Sequence, residues 1–493
     1  MNDDKHAQQI RRTKIVATLG PGSDAPGMLA RLITSGVDVV RLNLSHGEAD
    51  DHRKRAAAVR AAARELDTEI AILADLQGPK IRIETFAEGH VELAEGDDFT
   101  LDCRPGSPAG NRDHVGVSYG GLSRDVSTGD LLLLDDGLVS MRVESIAGQQ
   151  IHCKVVAGGT LSDRKGLNRQ GGGLSVDALS DKDRHDIRLT AELDADFMAV
   201  SFVRSAADLD NARRLLADAG SGAALVAKIE RAEAIPALAE IIDASDAVMV
   251  ARGDLGVEIG DAELPGLQKK IIREALTRNR PVITATQMLQ SMVDSPMPTR
   301  AEVLDVANAV IDGTDAVMLS QETAAGNYPD KAVQAMRRIC LGAERQFEPV
   351  DDLAAHVHQL VRTDQAIAMS AMALAAKVNV RAIIALTESG TTAQWLSRYR
   401  SSVPIYALSR SASARRRMQL LRDVHPVAFD VSDVEPAQVA RAAIRQLFDE
   451  GSVAAGDRVL LTHGDHTGRH GGTNTLKLLH VGKDGIAEGL REL

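Results

Sequence analysis

The sequence predicts a three-part α/β protein: a (β/α)8 barrel, a small β-barrel lid inserted into it, and a C-terminal doubly wound α/β domain. Three observations carry this. Short β-branched runs alternate with Ala-, Leu- and Arg-rich stretches of helical pattern, as in a parallel sheet buried on both faces. The alternation breaks once, between about 79 and 178, where Gly/Asp turns and alternating strands replace the helices. It resumes after about 350 as a second α/β series. A chain of 493 residues has room for about three domains.

The barrel runs are, in order, KIVATLG (14–20), VDVVRLNLS (37–45), IAILADLQG (70–78), FMAVSFV (197–203), ALVAKIE (224–230), AVMVARGD (247–254), PVITATQM (281–288) and AVMLSQET (316–323). Each leads, directly or after the insertion, into a helical stretch such as AAAVRAAARELD or LQKKIIREALTRN. The insertion holds KIRIETF, HVELAEGDDFTLDC, DHVGVSY, DLLLLDDGLVSMRVESI and QQIHCKVVAGG, and leaves through a Gly-rich hinge, KGLNRQGGGLSVDALS. The C-terminal runs are RAIIALT (381–387), PIYALS (404–409), HPVAFD (425–430), RVLLTHG (458–464) and TLKLLHV (475–481). The expected boundaries are 1–78 and 179–349 for the barrel, 79–178 for the lid and 350–493 for the C-terminal domain. The run Arg415–Arg416–Arg417 lies in a helical stretch and reads as a solvated face.

Composition narrows the function. The net charge of −12 disfavours nucleic acid as the main partner, because phosphate backbones select a basic face. Three separated cysteines, Cys103, Cys153 and Cys340, suit a reducing compartment rather than a disulfide framework. The polar N-terminus and the lack of a long apolar run point to a cytoplasmic protein without a membrane partner.

In such a barrel the chemistry sits at the carboxyl ends of the strands. Here those ends are polar. Strand two ends Arg41-Leu42-Asn43-Leu44-Ser45-His46, and strand three ends Asp75-Leu76-Gln77-Gly78-Pro79-Lys80, followed by Arg82. Strand five ends Lys228-Ile229-Glu230, and strand six runs into Arg252-Gly253-Asp254-Leu255-Gly256. Strand seven carries Thr284 and Thr286, and strand eight Ser320 and Glu322. Glu230 and Asp254 are hard oxygen ligands suited to Mg²⁺ or Mn²⁺. Arg41, Arg82 and Lys228 can neutralise a phosphoryl group, and Gly253–Gly256 can seat a carboxylate on backbone N–H groups. A metal, basic clamps and an anion seat are the parts of phosphoryl transfer. Taken singly, Lys228/Glu230 reads as an ion pair, the Gly-Asp-Leu-Gly segment as a turn, and Asn43, Ser45 and His46 as caps. Their recurrence at one end of several strands is what packing does not require. No GxxxxGK[ST] loop is present, which disfavours a P-loop kinase.

The segments ATLGP (17–21), VVRLNLSHG (39–47), DLQGPKIR (75–82), DDGL (135–138), KGLN (165–168), SDKD (180–183), AKIE (227–230), MVARGDLG (249–256), ATQML (285–289), PTRAEVLDVANAV (298–310) and MLSQETAAGNYP (318–329) resemble pyruvate kinase, in order over nearly the whole chain. The resemblance implies phosphoryl transfer from phosphoenolpyruvate to ADP, giving ATP and pyruvate. It implies that Lys228 neutralises the phosphoryl group and enolate, that Glu230 and Asp254 hold Mg²⁺, and that Arg41 contacts the phosphoryl group. It puts Arg82, Lys182, Asn43 and His46 on the nucleotide side, Gly253, Asp254 and Thr286 at the substrate carboxylate, and Ser320 and Glu322 in a proton relay. It also implies a homotetramer.

Many members read Asp-Thr-Lys-Gly-Pro-Glu where this chain has Asp75-Leu76-Gln77-Gly78-Pro79-Lys80, and those members need K⁺. Within the family, Leu, Gln and Lys here accompany K⁺ independence. An ammonium at Lys80 can stand in for the cation beside Asn43, Ser45, Asp75 and Leu76, so K⁺ is expected not to be required. Thr387-Glu388-Ser389-Gly390-Thr391-Thr392 resembles the family's sugar-phosphate effector loop, without the usual basic residue at Thr391. A sugar phosphate or a nucleotide is the expected effector, and His463–Thr475 resembles the effector lid. Two other readings compete: a metal-dependent pyruvate or phosphoenolpyruvate lyase on a similar barrel, and a catalytically silent metabolite sensor.

Overall fold

The computed structural model describes residues 10–346, 362–399, 401–432, 434–435, 438–465, 471–485 and 487–488. Eight parallel strands close into a ring: β1 (Lys14–Thr18), β2 (Val39–Asn43), β3 (Ala71–Asp75), and, after the insertion, β12 (Phe197–Val200), β13 (Ala224–Ile229), β14 (Ala247–Ala251), β15 (Val282–Ala285) and β16 (Ala316–Leu319). All eight expected barrel runs are strands, each starting and ending within a few residues of its apolar run. Inward side chains such as Val16, Leu73, Phe197, Met249 and Met318 fill the ring, and a second apolar shell joins its outside to the helices. Alternation along each strand serves both shells at once, so the runs read as continuous.

Between β3 and β12 lie β4 (His90–Leu93), β5 (Asp98–Asp102), β6 (His114–Gly116), β7 (Leu131–Leu134), β8 (Val139–Ala147), β9 (Gln150–Ala157), β10 (Gly159–Ser162) and β11 (Leu167–Arg169). They form a β half-barrel: a sheet in the order β11-β7-β8-β9-β5-β6 and a ribbon of β10 and β4 around one apolar core. KIRIETF, expected as a strand, makes only isolated bridges, Arg82 with Gly166, Ile83 with Val117 and Phe86 with Gly110. It is the entry limb of the lid, and its partners change every few residues. A short helix, Leu122–Asp125, was not legible in the pattern.

The C-terminal sheet runs β19 (Val424–Ala428), β18 (Ile405–Ser409), β17 (Ala382–Leu386), β20 (Arg458–Gly464), β21 (Thr473–Val481) and β22 (Ala487–Glu488), with separate apolar cores on its two faces. The expected boundary at 349/350 falls outside the described residues.

The floor of the barrel is built from aspartates. Asp38, Asp196, Asp246 and Asp315 each precede an even strand of the ring. Their carboxylates accept the N–H of Ile15, Ile72, Leu225 and Val282, on the odd strand alongside, at 2.7, 2.9, 2.8 and 3.0 Å. Arginines neutralise them: Arg11 on Asp38, Arg60 and Arg416 on Asp196, Arg213 on Asp246 and Arg398 on Asp315. Arg398 and Arg416 come from the C-terminal domain, and Leu420 of that domain plugs the ring from below. The expected solvated face at 415–417 is therefore overturned. Arg415 meets Glu69 at 2.7 Å, Arg416 meets Asp196 at 2.6 Å, and Arg417 donates to the Gly222 carbonyl at 2.6 Å. The helix Ala412–Met418 is wedged between its own sheet and the barrel floor, and that tertiary contact decides where its charges go.

Candidate active site

The polar strand ends converge at the top of the ring. Register sets Arg41 level with Thr18 on β1 and Leu73 on β3, and Asn43 beside Asp75. Asp75 is the hub. Its Oδ2 accepts from Arg41 Nε at 2.6 Å, and its Oδ1 lies 3.4 Å from Lys228 Nζ. Burial pushes the Asp75 carboxyl upward, but Lys228 and Arg41 outweigh it and hold it below the usual range. Lys228 is buried, which works against its charge, yet Asp75 and Glu230 keep its pKa raised. Its Nζ is 3.4 Å from Glu230 Oε2 and donates to Ser201 Oγ at 2.5 Å. Arg41 also donates to Thr18 Oγ1 at 3.1 Å.

Glu230 is buried, and its Oε1 accepts from the Phe202 N–H at 2.7 Å. Its carboxyl is pushed up to about 7, first by burial and then by nearby Asp254, against the pull of Lys228. A carboxylate crowded by a second one in this way forms a seat that a divalent cation relieves. Among the described residues no group of three or more His, Cys, Asp or Glu side chains could hold a metal. Two protein oxygens with substrate oxygens and water completing the octahedron is the pattern Mg²⁺ takes at phosphate sites, so the donor set fits.

Asp254 opens the helix Arg252–Ile259, and its Oδ1 accepts from Lys80 Nζ at 3.1 Å. Lys80 is ion-paired there, with its ammonium close to lid residue Gly166, where an added Cβ would come within 3.1 Å of the Lys80 chain. Asn43 accepts from the Ser45 N–H at 3.2 Å, and Leu76 is buried with its carbonyl taking the Ser201 hydroxyl at 2.8 Å. Thr286 sits at φ 66 and Gln287 at φ 54, left-handed positions that cost a β-branched residue strain. The Thr286 hydroxyl accepts from the Gly253 N–H at 2.9 Å and donates to the Ala285 carbonyl at 2.7 Å, locking the strand-seven turn onto the first turn of the Arg252–Ile259 helix. Arg252 holds that turn from behind through the Ala285 and Thr286 carbonyls, and pairs with both oxygens of Asp305.

The outer residues are held by local bonds. Arg82 donates to the Arg164 carbonyl in the lid at 2.8 Å. Lys182 donates to the Leu44 carbonyl at 2.6 Å and to Asp186 at 2.5 Å. Burial first, then Arg82, Arg41 and Lys80, push the His46 imidazole down, so it faces a cationic mouth as a neutral ring. Glu322 is buried with its oxygens on the N–H groups of Leu289 and Ser320, at 3.0 and 2.6 Å. That geometry ties the ends of strands seven and eight together and leaves Ser320 as the side chain of the expected relay nearer the mouth. Pattern reading missed Ser201, Thr18 and Asp183. Asp183 is buried and accepts the Gly78 N–H at 3.0 Å, with SDKD acting as a capping box. The box was visible in the sequence, but its second bond to Gly78 was not.

Comparison with known proteins fixes the family. The pattern described as "Pyruvate kinase, barrel domain" matches residues 10–333, and "Pyruvate kinase, alpha/beta domain" matches 365–479. The chain is 51% identical over 483 residues to pyruvate kinase II of Salmonella typhimurium, covering 96% of this chain and 100% of that one. It is 49% identical over 464 residues to a pyruvate kinase of Haemophilus influenzae, covering 93% and 96%. The chain belongs to the pyruvate kinase family. A crystal structure of a pyruvate kinase from Cryptosporidium parvum superposes with a TM-score of 0.89 at 35% identity, covering 95% of this chain and 96% of that one. Pyruvate kinase is thus the activity, and the lyase alternative finds no support in these matches. No described helix is long and apolar enough to cross a membrane.

Proposed function

We propose that the residues at the carboxyl ends of β2, β3, β13, β14 and β15 carry the phosphoryl transfer from phosphoenolpyruvate to ADP, and that they do so without K⁺. The observation behind this is the Lys228 ammonium, on a side chain only 13% exposed and held 3.4 Å from both Asp75 and Glu230. A fixed cation in a low-dielectric pocket stabilises charge that develops on a transferring phosphoryl group and on the departing enolate. The P–O bond to the enol oxygen breaks, a P–O bond to a terminal ADP oxygen forms, and the enolate takes up a proton to become pyruvate. Arg41 binds the phosphoryl oxygens beside Lys228. Gly253, Asp254 and Thr286 seat the substrate carboxylate. Arg82, Lys182, Asn43 and His46 line the nucleotide side, and the closed lid excludes the water that would compete with ADP. Mg²⁺ held by Glu230 and Asp254 would neutralise oxygen charge on substrate and nucleotide.

The K⁺ reading rests on Lys80, whose ammonium lies 3.1 Å from Asp254 inside the site. In the C-terminal domain, Thr387, Ser389, Thr391 and Thr392 line a cavity of about 340 Å³ with Arg410 and His463. Gly390 caps the helix Thr391–Arg398, and Ser389 bonds Thr391 between hydroxyls at 2.9 Å. This is a hydroxyl-rich seat for a phosphorylated effector at a helix start. Part of the expected effector lid, 466–470, lies outside the described residues.

Pyruvate formation from phosphoenolpyruvate, ADP and Mg²⁺ tests the assignment, run with K⁺ and with tetramethylammonium. Equal turnover is expected. Lys228→Met should lower kcat by about 10²–10³-fold, the usual cost of losing a transition-state electrostatic contact. A kcat within threefold of wild type would remove Lys228 from the mechanism.

A further inference from the structure

The hinge through which the chain leaves the lid carries three consecutive glycines, yet the structure pins it to the barrel through a buried ionic cluster. Glu258 is 1% exposed, at the last turn of the helix whose first turn holds Asp254. Positions 254 and 258 are one helical turn apart on the same face. Glu258 Oε2 accepts the N–H of Ala232 at 2.8 Å, just beyond Glu230. Its Oε1 lies 3.3 Å from Arg231 Nε and accepts from Asn168 Nδ2 of β11 at 3.3 Å. The Glu258 carbonyl also accepts the Gly171 N–H at 2.9 Å. Beside it, Glu233 accepts the Gly173 N–H at 2.5 Å and pairs with Arg231 at 2.7 Å. Arg231 donates to the Leu174 carbonyl at 3.3 Å. A Cβ at Gly172 would fall 2.3 Å from Glu233 Oε2, so only glycine lets the hinge come this close.

We propose that Glu258 is a positioning residue that joins the seat of the lid's exit strand to the two carboxylates of the divalent-cation site, Glu230 and Asp254. The inference rests on the assignment of that pair above. Its physical basis is polar satisfaction. Glu258 and Arg231 are buried here with Glu233 partly buried beside them, and part of the hydrogen bonding of the two glutamates comes from lid groups: Asn168 Nδ2 and Gly171 N–H to Glu258, and Gly173 N–H to Glu233. Lifting the exit strand leaves buried carboxylate and carbonyl oxygens short of donors, which is costly. Seating it completes the cluster and fixes the turn after Glu230 against the helix of Asp254. One carboxylate thereby sets the separation of two others. Neither is a neighbour of the lid in sequence. Outer groups of this kind orient metal ligands, and their loss costs about 10–100-fold in affinity or activity.

The full-length protein without substrates tests this with two variants and two readouts. Mn²⁺ binding is followed by electron paramagnetic resonance, and amide exchange by mass spectrometry over 165–174 and 228–234. Glu258→Gln should raise exchange in both segments and weaken Mn²⁺ binding by about tenfold. Asn168→Ala cuts only the lid side. It should raise exchange at 165–174 more than at 228–234, weaken Mn²⁺ binding measurably but less than Glu258→Gln does, and lower kcat about fivefold at unchanged KM for phosphoenolpyruvate. Faster exchange in Glu258→Gln with Mn²⁺ affinity within twofold of wild type would overturn the proposal, because Glu258 would then serve the fold alone. Should Glu258→Gln not fold, Asn168→Ala decides: an unchanged kcat overturns the coupling. A wild-type protein that binds no Mn²⁺ would sink the metal assignment itself, a result separate from either variant's.

Discussion

At the scale of single residues, Lys80 is the informative departure. An ammonium is a compact point charge on a flexible stem, able to reach where a monovalent cation would sit. Here it reaches Asp254 at 3.1 Å. The charge it adds is positive at a place where many family members have a glutamate, so the substitution reverses the sign of one group at the mouth. Lys80→Glu should therefore create K⁺ dependence. Its turnover in tetramethylammonium is expected to fall at least tenfold and to recover with added K⁺, while wild type shows the same rate in both. A Lys80→Glu enzyme that works equally without K⁺ would end the argument. Lys80 also shows what the sequence discloses and what it withholds. DLQGPK alone discloses a positive charge at this position. It does not disclose the partner, because the Asp254 carboxylate arrives from a helix start 174 positions away.

At the scale of elements, the barrel was legible and its floor was not. The eight strands follow from near-continuous apolar runs alternating with helical stretches, a pattern that an open doubly wound sheet would share, and closure into a ring is what the structure adds. The aspartates at 38, 196, 246 and 315 stand in the sequence at one repeated position, directly before Val39, Phe197, Ala247 and Ala316. They read singly as turn residues, and only the ring shows that each binds the strand beside it. The helix Ala412–Met418 failed for the same reason, since a run of arginines has no visible partner until the floor is built. The strand β19 yields a prediction of its own. The His425 ring lies 5.7 Å from that of Tyr406 at a tilt of 42°, and burial, then Lys14 and Arg11, push its imidazole down to about 3. In the unfolded chain it titrates near 6.5, about the ordinary value. Between these pH values the unfolded state binds the extra proton, so this contribution is present above about 6.5 and is lost as pH falls. The slope is up to about 1.4 kcal/mol per pH unit. Urea unfolding at pH 7 and pH 5 should show wild type losing more stability than His425→Phe. Parallel losses would show that His425 does not titrate on unfolding.

At the scale of the whole molecule, the barrel, the lid and the C-terminal domain are joined by charge and by a few apolar plugs, and one apolar face has no cover among the described residues. The helix Arg300–Asp312 exposes Leu304 and Ile311, one side of it continuing through Met297. Their exposures are 64%, 50% and 69%, and the other exposed large aliphatic side chains among the described residues, Ile10, Leu138, Val156 and Leu478, stand apart from one another along the chain. The spacing of 304 and 311 is two helical turns, a single stripe. The same helix carries Asp305, which grips Arg252 and through it the Thr286 turn. A copy of the chain packed on this stripe would lie next to a residue that bears on the active site. That arrangement suits the homotetramer expected of the family, and it gives an oligomer a physical route to the catalytic turn. Light scattering should report a mass near four times 52.5 kDa for the wild-type chain. Leu304→Glu with Ile311→Glu should give a smaller species with unchanged circular dichroism, since both side chains are largely solvent-facing in the single chain. Its KM for phosphoenolpyruvate should rise several-fold, because the Asp305–Arg252 clamp loses the neighbour that stiffens it. A double variant of unaltered mass would place the interface elsewhere. A smaller species with unaltered KM would keep the interface and detach it from the active site.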